Sequence, residues 1–169
     1  MRIAGISYPD VNNGLGCRVT LWAQGCSHHC KGCHNPETWS FSGGKEFDSK
    51  AKEELFSALA KSYIKGLTLS GGDPIDSYDD ILALAKEAKE KMPEKDIWMF
   101  TGYKLDDFIN GDKGEILSYV DVVVDGEYKE ELRDVSLPYR GSSNQHIWER
   151  VDGGWKRSEL EKAPRSFEK

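Results

Sequence analysis

The sequence lacks long apolar runs, an excess of basic residues and any cysteine beyond residue 33. It contains no apolar stretch long enough to cross a bilayer, and its N-terminus has no continuous apolar segment of the kind found in secretory signals. The formal net charge of −6 argues against binding to a nucleic-acid backbone, which depends on clustered Lys and Arg. We therefore expect a cytoplasmic protein that binds neither membranes nor nucleic acid.

The length and composition fit one soluble globular domain. The chain has 169 residues, of which 38% are hydrophobic and 31% charged, and it shows no internal repeat or low-complexity tract. We expect the domain to span residues 1–151. The remaining residues, 152–169, are charged and poor in apolar side chains, so we expect them to form a frayed tail.

All four cysteines, Cys17, Cys26, Cys30 and Cys33, lie in the first fifth of the chain. Because no cysteine elsewhere could pair with them, we do not expect a disulfide framework. Cysteines grouped in this way in a reducing compartment usually hold metal or carry out redox chemistry. Cys17 lies about a strand's length before the other three, so we interpret it as a small buried residue and not as a ligand.

Segments typical of strands and of helices alternate along the chain. Strands are predicted over residues 17–24, 66–70, 96–102, 119–126 and 146–151, and amphipathic helices over residues 48–65, 77–92 and 104–110. This alternation predicts an α/β fold in which right-handed crossovers connect parallel strands. We expect an incomplete βα barrel of about four to six parallel strands.

Residues of chemical interest come directly after four of these predicted strands. They are the cysteine loop of residues 25–35, the turn from Gly71 to Pro74, the segment from Thr101 to Tyr103, and Asp125 with Gly126. In a parallel sheet the carboxyl ends of the strands share one rim, and ligands bind there. The sequence therefore predicts a single site on that rim.

In the cysteine loop, three residues separate Cys26 from Cys30 and two separate Cys30 from Cys33. This spacing can hold a four-iron cluster on three thiolates, which leaves one iron open to a substrate. It can also hold zinc in a Cys₃His site, with His28, His29 or His34 as the fourth ligand, although we assign none of these histidines to metal. An electron-carrier cluster would need Cys17 as a fourth thiolate. Spacing alone leaves these alternatives open.

Together with the Gly71-Gly72-Asp73-Pro74 turn, this loop resembles that of the radical S-adenosylmethionine enzymes. The segments DIWMFTGY at 96–103, VVVDG at 122–126 and RGSSNQ at 140–145 extend the resemblance to the activating proteins of anaerobic ribonucleoside-triphosphate reductases. The resemblance covers roughly residues 10–150. It implies a [4Fe–4S] cluster on Cys26, Cys30 and Cys33 whose open iron binds the amino and carboxylate groups of S-adenosylmethionine.

The resemblance also implies roles for neighbouring residues. The Gly71-Gly72-Asp73 turn would bind the methionyl amino group, and two glycines allow a backbone to come close to a ligand. Main-chain atoms of Gly32, Cys33 and His34 would contact the adenine, with His34 available for stacking, although many members of the superfamily carry an aromatic residue where this chain has Gly32. Further candidates on the rim, without an assigned role, are Thr101, Tyr103, Asp125, Arg140 and Asn144.

The implied activity is reductive cleavage of S-adenosylmethionine to a 5′-deoxyadenosyl radical, which removes hydrogen from a glycine Cα of a large enzyme. The implied partners are the glycyl-radical subunit of anaerobic ribonucleotide reductase and a reductant of flavodoxin or ferredoxin type. One alternative is an activase for another glycyl-radical enzyme, such as a formate-lyase type. Others are a radical enzyme acting on a small molecule and a Cys₃His zinc module.

Overall fold

The structure is a computed structural model that describes residues 1–162. Across these residues a single sheet is formed by β1 (Arg2–Asp10), β2 (Arg18–Ala23), β3 (Lys45–Glu46), β4 (Gly66–Gly71), β5 (Asp96–Phe100), β6 (Val122–Asp125), β7 (His146–Val151) and β8 (Gly154–Arg157). The strand order is β3-β1-β2-β4-β5-β6-β7-β8. Strands β2, β4, β5 and β6 are parallel, and antiparallel strands flank them on both sides.

Helices and short 3₁₀ turns connect the strands. The α-helices are α1 (Ser49–Leu59), α2 (Tyr78–Lys91) and α3 (Leu105–Ile109), and the 3₁₀ turns are Pro36–Thr38, Pro74–Ser77, Gly114–Ser118, Glu130–Leu132 and Glu159–Lys162. Asp48 caps the N-terminus of α1, where its side chain accepts a hydrogen bond from the backbone N–H of Ala51 at 2.9 Å. None of the helices within residues 1–162 is long and apolar enough to cross a membrane.

The main hydrophobic core lies between the helices and one face of the sheet. Alternate residues of the parallel strands point to this face, and the helices contribute apolar side chains three or four residues apart. Its members include Val19, Leu21, Leu67, Leu69, Ile97 and Met99 from the strands and Leu55, Leu59, Ile81, Leu84 and Phe108 from the helices. This packing explains why apolar periodicity predicts these elements, although α1 ends at Leu59 and does not reach the predicted end at residue 65.

Buried polar side chains fill the other face of the sheet where the parallel strands begin. Arg18 is fully buried, donates a hydrogen bond to Oγ1 of Thr68 at 2.7 Å and lies 2.6 Å from a carboxylate oxygen of Asp96. Beside this pair, Asp10 accepts a hydrogen bond from Thr20 at 2.7 Å. Because each charged group has a partner, the burial is tolerated. The face of the sheet is therefore filled where the parallel strands begin. A cavity remains on it where these strands end.

The predicted α/β fold is confirmed, and four of its strands are parallel in a sheet that does not close. The predicted strand over residues 146–151 is present as β7, but it pairs antiparallel with β6. Strand β1 was not predicted, because Gly5 and Pro9 are residue types depleted in strands. It pairs antiparallel with β2 and with the short β3. The sheet is therefore wider than a count of βα units suggests.

The expected fraying of the C-terminal tail is wrong for residues 152–162. After β7 the chain turns at Asp152 and Gly153, both with positive φ, and β8 pairs antiparallel with β7. An Asp-Gly pair is a strong signal for a tight hairpin, and this turn type needs positive φ at both positions. Ser158, which follows β8, is buried. Residues 163–169 lie outside the described residues.

Candidate functional site

A cavity of about 460 Å³ opens at the carboxyl ends of the parallel strands. Near the ends of these strands, it is lined by Trp22, Ser70, Phe100 and Val124. Cys26, Cys30 and Cys33 line one side, and side chains from the segment between β6 and β7 line another. The structure therefore brings the three loop cysteines together at the rim that the strand pattern predicts.

Backbone hydrogen bonds hold the cysteine loop in a compact turn. At its start Cys26 donates to the carbonyl of Trp39 at 3.1 Å, and within it Cys33 donates to the carbonyl of Cys30 at 3.1 Å. The N–H of Asn35 donates to Sγ of Cys33 at 3.4 Å. Since Gly32 has positive φ, the chain can reverse between the last two cysteines.

The thiols of Cys26 and Cys30 are not activated as nucleophiles. Burial, assisted by Asp73 and Asp76, raises the pKa of Cys26 to about 11, although backbone N–H groups partly oppose the shift. Burial also raises the pKa of Cys30. A nucleophilic cysteine needs a lowered pKa, whereas a metal ligand loses its proton when the metal binds. The loop is thus suited to metal ligation.

The side chain of Asp73 connects the turn that follows β4 to the turn that follows β5, below the rim of the cavity. This residue is 1% exposed, and its carboxylate accepts hydrogen bonds from the N–H of Ile75 at 3.0 Å, from Oγ1 of Thr101 at 3.0 Å and from the N–H of Gly102 at 2.8 Å. The carboxylate oxygens are therefore occupied by protein donors. Although Asp73 lines the cavity, its side chain acts mainly to fix the surrounding turns.

His28 connects the cysteine loop to two other turns of the rim. Its Nδ1 lies 2.9 Å from a carboxylate oxygen of Glu127, and its Nε2 lies 3.0 Å from Asp73 in an ion pair without good hydrogen-bond alignment. The contact with Asp73 and then that with Glu127 raise the pKa of His28 to about 9 against the effect of burial. With its pKa raised in this way, the ring is protonated at neutral pH and each nitrogen faces a carboxylate, so it is not a free metal ligand.

The other two loop histidines contact aromatic rings. The ring of His29 lies edge-on to Trp39 at 5.0 Å, and that of His34 is tilted against Tyr128 at 5.4 Å. Within residues 1–162, no group of three or more His, Cys, Asp or Glu side chains is placed to hold a single metal ion. Three thiols around a cavity form a donor set that suits an iron–sulfur cluster, in which each thiolate binds a different iron.

Close packing requires the two glycines at the end of β4, where Gly71 is the last strand residue and Gly72 follows it. A Cβ on Gly71, whose φ is positive, would clash with the backbone of Ala23, and one on Gly72 would clash with the carbonyl of Gly25. The turn is fixed there, because Asp73 donates its N–H to the carbonyl of Gly25 at 2.9 Å. The space where a side chain would lie at Gly71 or Gly72 is thus filled by neighbouring backbone and is not open to a ligand. Both glycines still line the cavity.

The remaining predicted residues divide into those that line the cavity and those that do not. The lining residues include Cys33, His34, Thr101 and Arg140. Within residues 1–162, the cavity lining does not include Gly32, Tyr103, Asp125 or Asn144. Gly32 faces Glu130, and Asp125 accepts a hydrogen bond from the N–H of Leu105 at the start of α3. Tyr103 donates a hydrogen bond to Asp76, and Asn144 donates one to the carbonyl of Glu127.

Several cavity residues were not singled out from the sequence. Between β6 and β7 they include Tyr128, Arg133, Val135 and Tyr139, and before β2 they include Asn12 and Asn13. These residues lie in irregular segments without hydrophobic periodicity, so no local pattern indicates where they point. The RGSSNQ motif at 140–145 was the available signal for this wall.

A family model described as a 4Fe-4S single cluster domain matches residues 12–148 of this chain. The class of protein defined by this fold and site is therefore a single-cluster iron–sulfur protein. Three similar curated proteins carry the name anaerobic ribonucleoside-triphosphate reductase-activating protein. The relative from Enterobacteria phage T4 is 47% identical over 88% of this chain and 95% of its own length.

The second relative, from Haemophilus influenzae, is 46% identical over 83% of this chain and 93% of its own length. The third, from Escherichia coli, is 42% identical over 83% of this chain and 94% of its own length. The chain belongs to the family of anaerobic ribonucleoside-triphosphate reductase-activating proteins.

Proposed function

We propose that this chain activates an anaerobic ribonucleoside-triphosphate reductase by radical S-adenosylmethionine chemistry. The observation that carries the proposal is the placement of Cys26, Cys30 and Cys33 on one wall of a cavity at the strand ends. It is supported by relatives of nearly full length whose name states this activating role. We further propose that the sheet curves around the cavity as a partial barrel with one open side.

Cys26, Cys30 and Cys33 would hold a [4Fe–4S] cluster and leave one iron without a protein ligand. The position of Cys17 supports this proposal. Cys17 precedes β2, whereas the loop follows β2, so the length of the strand puts roughly 20 Å between them. Cys17 is also absent from the cavity lining of residues 1–162. A cluster with an open iron can bind a substrate, which a fully ligated electron carrier does not do.

The cavity volume of about 460 Å³ lies within the range of small-molecule sites. We propose that main-chain atoms of Gly71 and Gly72 bind the methionyl amino group of S-adenosylmethionine. Backbone atoms of Cys33 and His34 would contact the adenine, and the imidazole of His34 would stack on it. Gly32, which faces Glu130, would support this contact by shaping the turn. Asp73 would hold the glycine turn in place.

When bound, the cluster would supply one electron to the sulfonium, giving methionine and a 5′-deoxyadenosyl radical. The chain itself provides an apolar floor for this reaction. Trp22, Phe100 and Val124 line the cavity where the strands end, and Tyr139 lines it from the segment between β6 and β7. Apolar side chains exclude water from a reactive intermediate and offer it few polar groups to react with.

The proposed substrate of the radical is a glycine Cα of the large reductase subunit, on which a glycyl radical would be generated. The electron would come from a reductant of flavodoxin or ferredoxin type. We place the reaction in the cytoplasm, where thiols remain reduced. Activation of a formate-lyase type enzyme is the alternative, and the names of the relatives favour the reductase.

Anaerobic reconstitution with iron and sulfide tests the proposal. After reduction, the protein should convert S-adenosylmethionine to methionine and 5′-deoxyadenosine. With the large reductase subunit present, electron paramagnetic resonance should show a glycyl radical that does not form with a formate-lyase type enzyme. A zinc module would instead give a colourless protein with one metal per chain. A brown protein with a full cluster and no cleavage product would contradict the proposal.

A further inference from the structure

The C-terminal 3₁₀ turn lies directly behind part of the cavity wall. That part is the loop of residues 139–145, in which Tyr139, Arg140, Gly141 and Gln145 line the cavity. Arg140 is only 8% exposed, and its Nη2 donates a hydrogen bond to the carbonyl of Glu161 at 3.1 Å. Its Nη1 lies 3.3 Å from a carboxylate oxygen of Glu161. The buried guanidinium thus points away from solvent toward the C-terminal segment.

The carboxylate of Glu161 connects three separate parts of the chain. One oxygen accepts hydrogen bonds from the N–H of Ile147 at 2.7 Å and from Nε of Arg157 at 2.9 Å. The other accepts from Nη2 of Arg157 at 2.6 Å and faces Arg140. His146 lies 3.9 Å away from the first oxygen. Burial disfavours ionisation, but these donors outweigh it and lower the pKa of Glu161, so the carboxylate is charged.

The other side of the loop is fixed to the turn that follows β6. Oε1 of Gln145 accepts hydrogen bonds from the N–H groups of Gly141 at 2.9 Å and Ser142 at 3.1 Å, while Nε2 donates to the carbonyl of Gly126 at 2.9 Å. Arg140 also donates to the carbonyl of Gln145 at 3.3 Å. The loop is therefore held between the rim and the C-terminal segment.

We propose that Glu161 is a positioning residue that fixes the 139–145 loop through Arg140 in the shape that binds S-adenosylmethionine. Removal of its charge would take from the buried guanidinium of Arg140 the carboxylate that lies 3.3 Å away and leave the weaker influence of Asp134, so the loop would be held less firmly. The identity of the ligand rests on the proposed function, whereas the contact itself does not. Residues that the sequence assigns to a frayed tail would thus support the site.

Asp121 offers a matched control at the opposite end of the sheet. Its carboxylate also binds two cations and one backbone amide, with Lys89 at 2.6 Å, Arg150 at 3.1 Å and the N–H of Ile97 at 2.8 Å. It precedes β6, so it lies where the parallel strands begin and not at the cavity. Glu161→Gln and Asp121→Asn therefore remove similar charges from similar surroundings.

Amide hydrogen exchange of the full chain, with and without its reconstituted cluster, tests the contact independently of activity. In Glu161→Gln, exchange over residues 139–145 should become roughly tenfold faster, while exchange in α2 stays unchanged. Asp121→Asn should not affect residues 139–145. If Glu161→Gln does not fold, Arg140→Gln should produce the same local increase. Unchanged exchange at 139–145 in the folded variants would overturn the proposal.

Steady-state cleavage of S-adenosylmethionine tests the consequence for the site. Glu161→Gln should raise KM several-fold and leave kcat at saturating substrate nearly unchanged, because the cluster ligands are intact. Asp121→Asn should keep the wild-type KM. A wild-type KM in Glu161→Gln, or an equal increase in Asp121→Asn, would overturn the positioning role. Failure of the wild-type protein to cleave S-adenosylmethionine would instead contradict the proposed function, while hydrogen exchange would still test the contact.

Discussion

The two ends of the parallel strands use buried polar residues in different ways. Where the strands begin, Arg18 binds both Thr68 and Asp96, and these side chains fill the face of the sheet. Where the strands end, Asp73 and Thr101 are also paired, but they surround an open cavity lined by three thiols. Pairing at the first end therefore stabilises the fold, whereas pairing at the second holds turns around an open site. Substitutions at the two ends should separate stability from activity.

The largest effect is expected from Cys30→Ala at the cavity end. Loss of one of the three proposed thiolate ligands should abolish cleavage of S-adenosylmethionine and lower the iron bound per chain, because the proposed cluster has no spare protein ligand. Chemical iron analysis and product chromatography measure both quantities. Cys17→Ala is the control and should retain wild-type iron. Retained turnover in Cys30→Ala would refute its assignment as a ligand.

At the closed end, Arg18→Met should mainly affect stability. Arg18 is fully buried, and its removal leaves Asp96, Thr68 and the carbonyl of Leu67 without their donor. We expect a loss of roughly 3 kcal/mol in the free energy of unfolding, measured by urea denaturation. Arg150→Met, at a more exposed position, should cost less than about 1 kcal/mol. Equal losses in the free energy of unfolding for the two variants would contradict the claim that the buried ion pair stabilises the fold more than the exposed one.

Gly72→Ala should affect both stability and the site. The added methyl would clash with the carbonyl of Gly25, so the turn must move away from the cysteine loop. We expect a cost of roughly 1–3 kcal/mol, typical of overpacking, and weaker binding of S-adenosylmethionine. Gly5→Ala, where an added Cβ meets nothing within 4 Å, is the matched control. Equal denaturation midpoints for the two variants would show that the turn can yield without cost.

The smallest expected effect concerns acid stability at the closed end. Burial opposes ionisation of Asp10, but hydrogen bonds from Thr20, Asn12 and Asn13 outweigh it and lower its pKa. As the pH falls, Asp10 is therefore protonated in the unfolded chain before it is protonated in the folded protein. The contribution of Asp10 to stability is complete above the unfolded pKa of about 4 and is lost as the pH falls through the folded pKa. Asp10→Asn should flatten the pH dependence of unfolding in this range, and an unaltered profile would contradict the assignment.

The sequence predicts those elements whose packing leaves a local pattern. Strand β4 and helix α2 were predicted from apolar runs and periodicity, because both pack into the main core. Strand β1 was missed because it contains Gly5 and Pro9, whereas β8 was missed because it is a short, mostly exposed strand at the edge of the sheet. The Asp152-Gly153 pair is a local hairpin signal, and in the structure it determines the conformation of this segment despite the charged composition of the tail.

For the candidate site, residue spacing predicts the thiols but not the wall that faces them. The shape of the wall depends on contacts between distant parts of the chain, such as Arg140 with Glu161 and Gln145 with Gly126. No local pattern encodes such pairs. The requirement for glycine at positions 71 and 72 likewise comes from packing against Ala23 and Gly25, which are distant in sequence.

The most direct test of the central claim is electron paramagnetic resonance of the reduced, reconstituted protein before and after addition of S-adenosylmethionine. If Cys26, Cys30 and Cys33 hold a cluster with one open iron, the reduced cluster signal should change when the ligand binds. Cys17→Ala should show the same change. A full cluster whose signal is identical with and without saturating S-adenosylmethionine would contradict the claim.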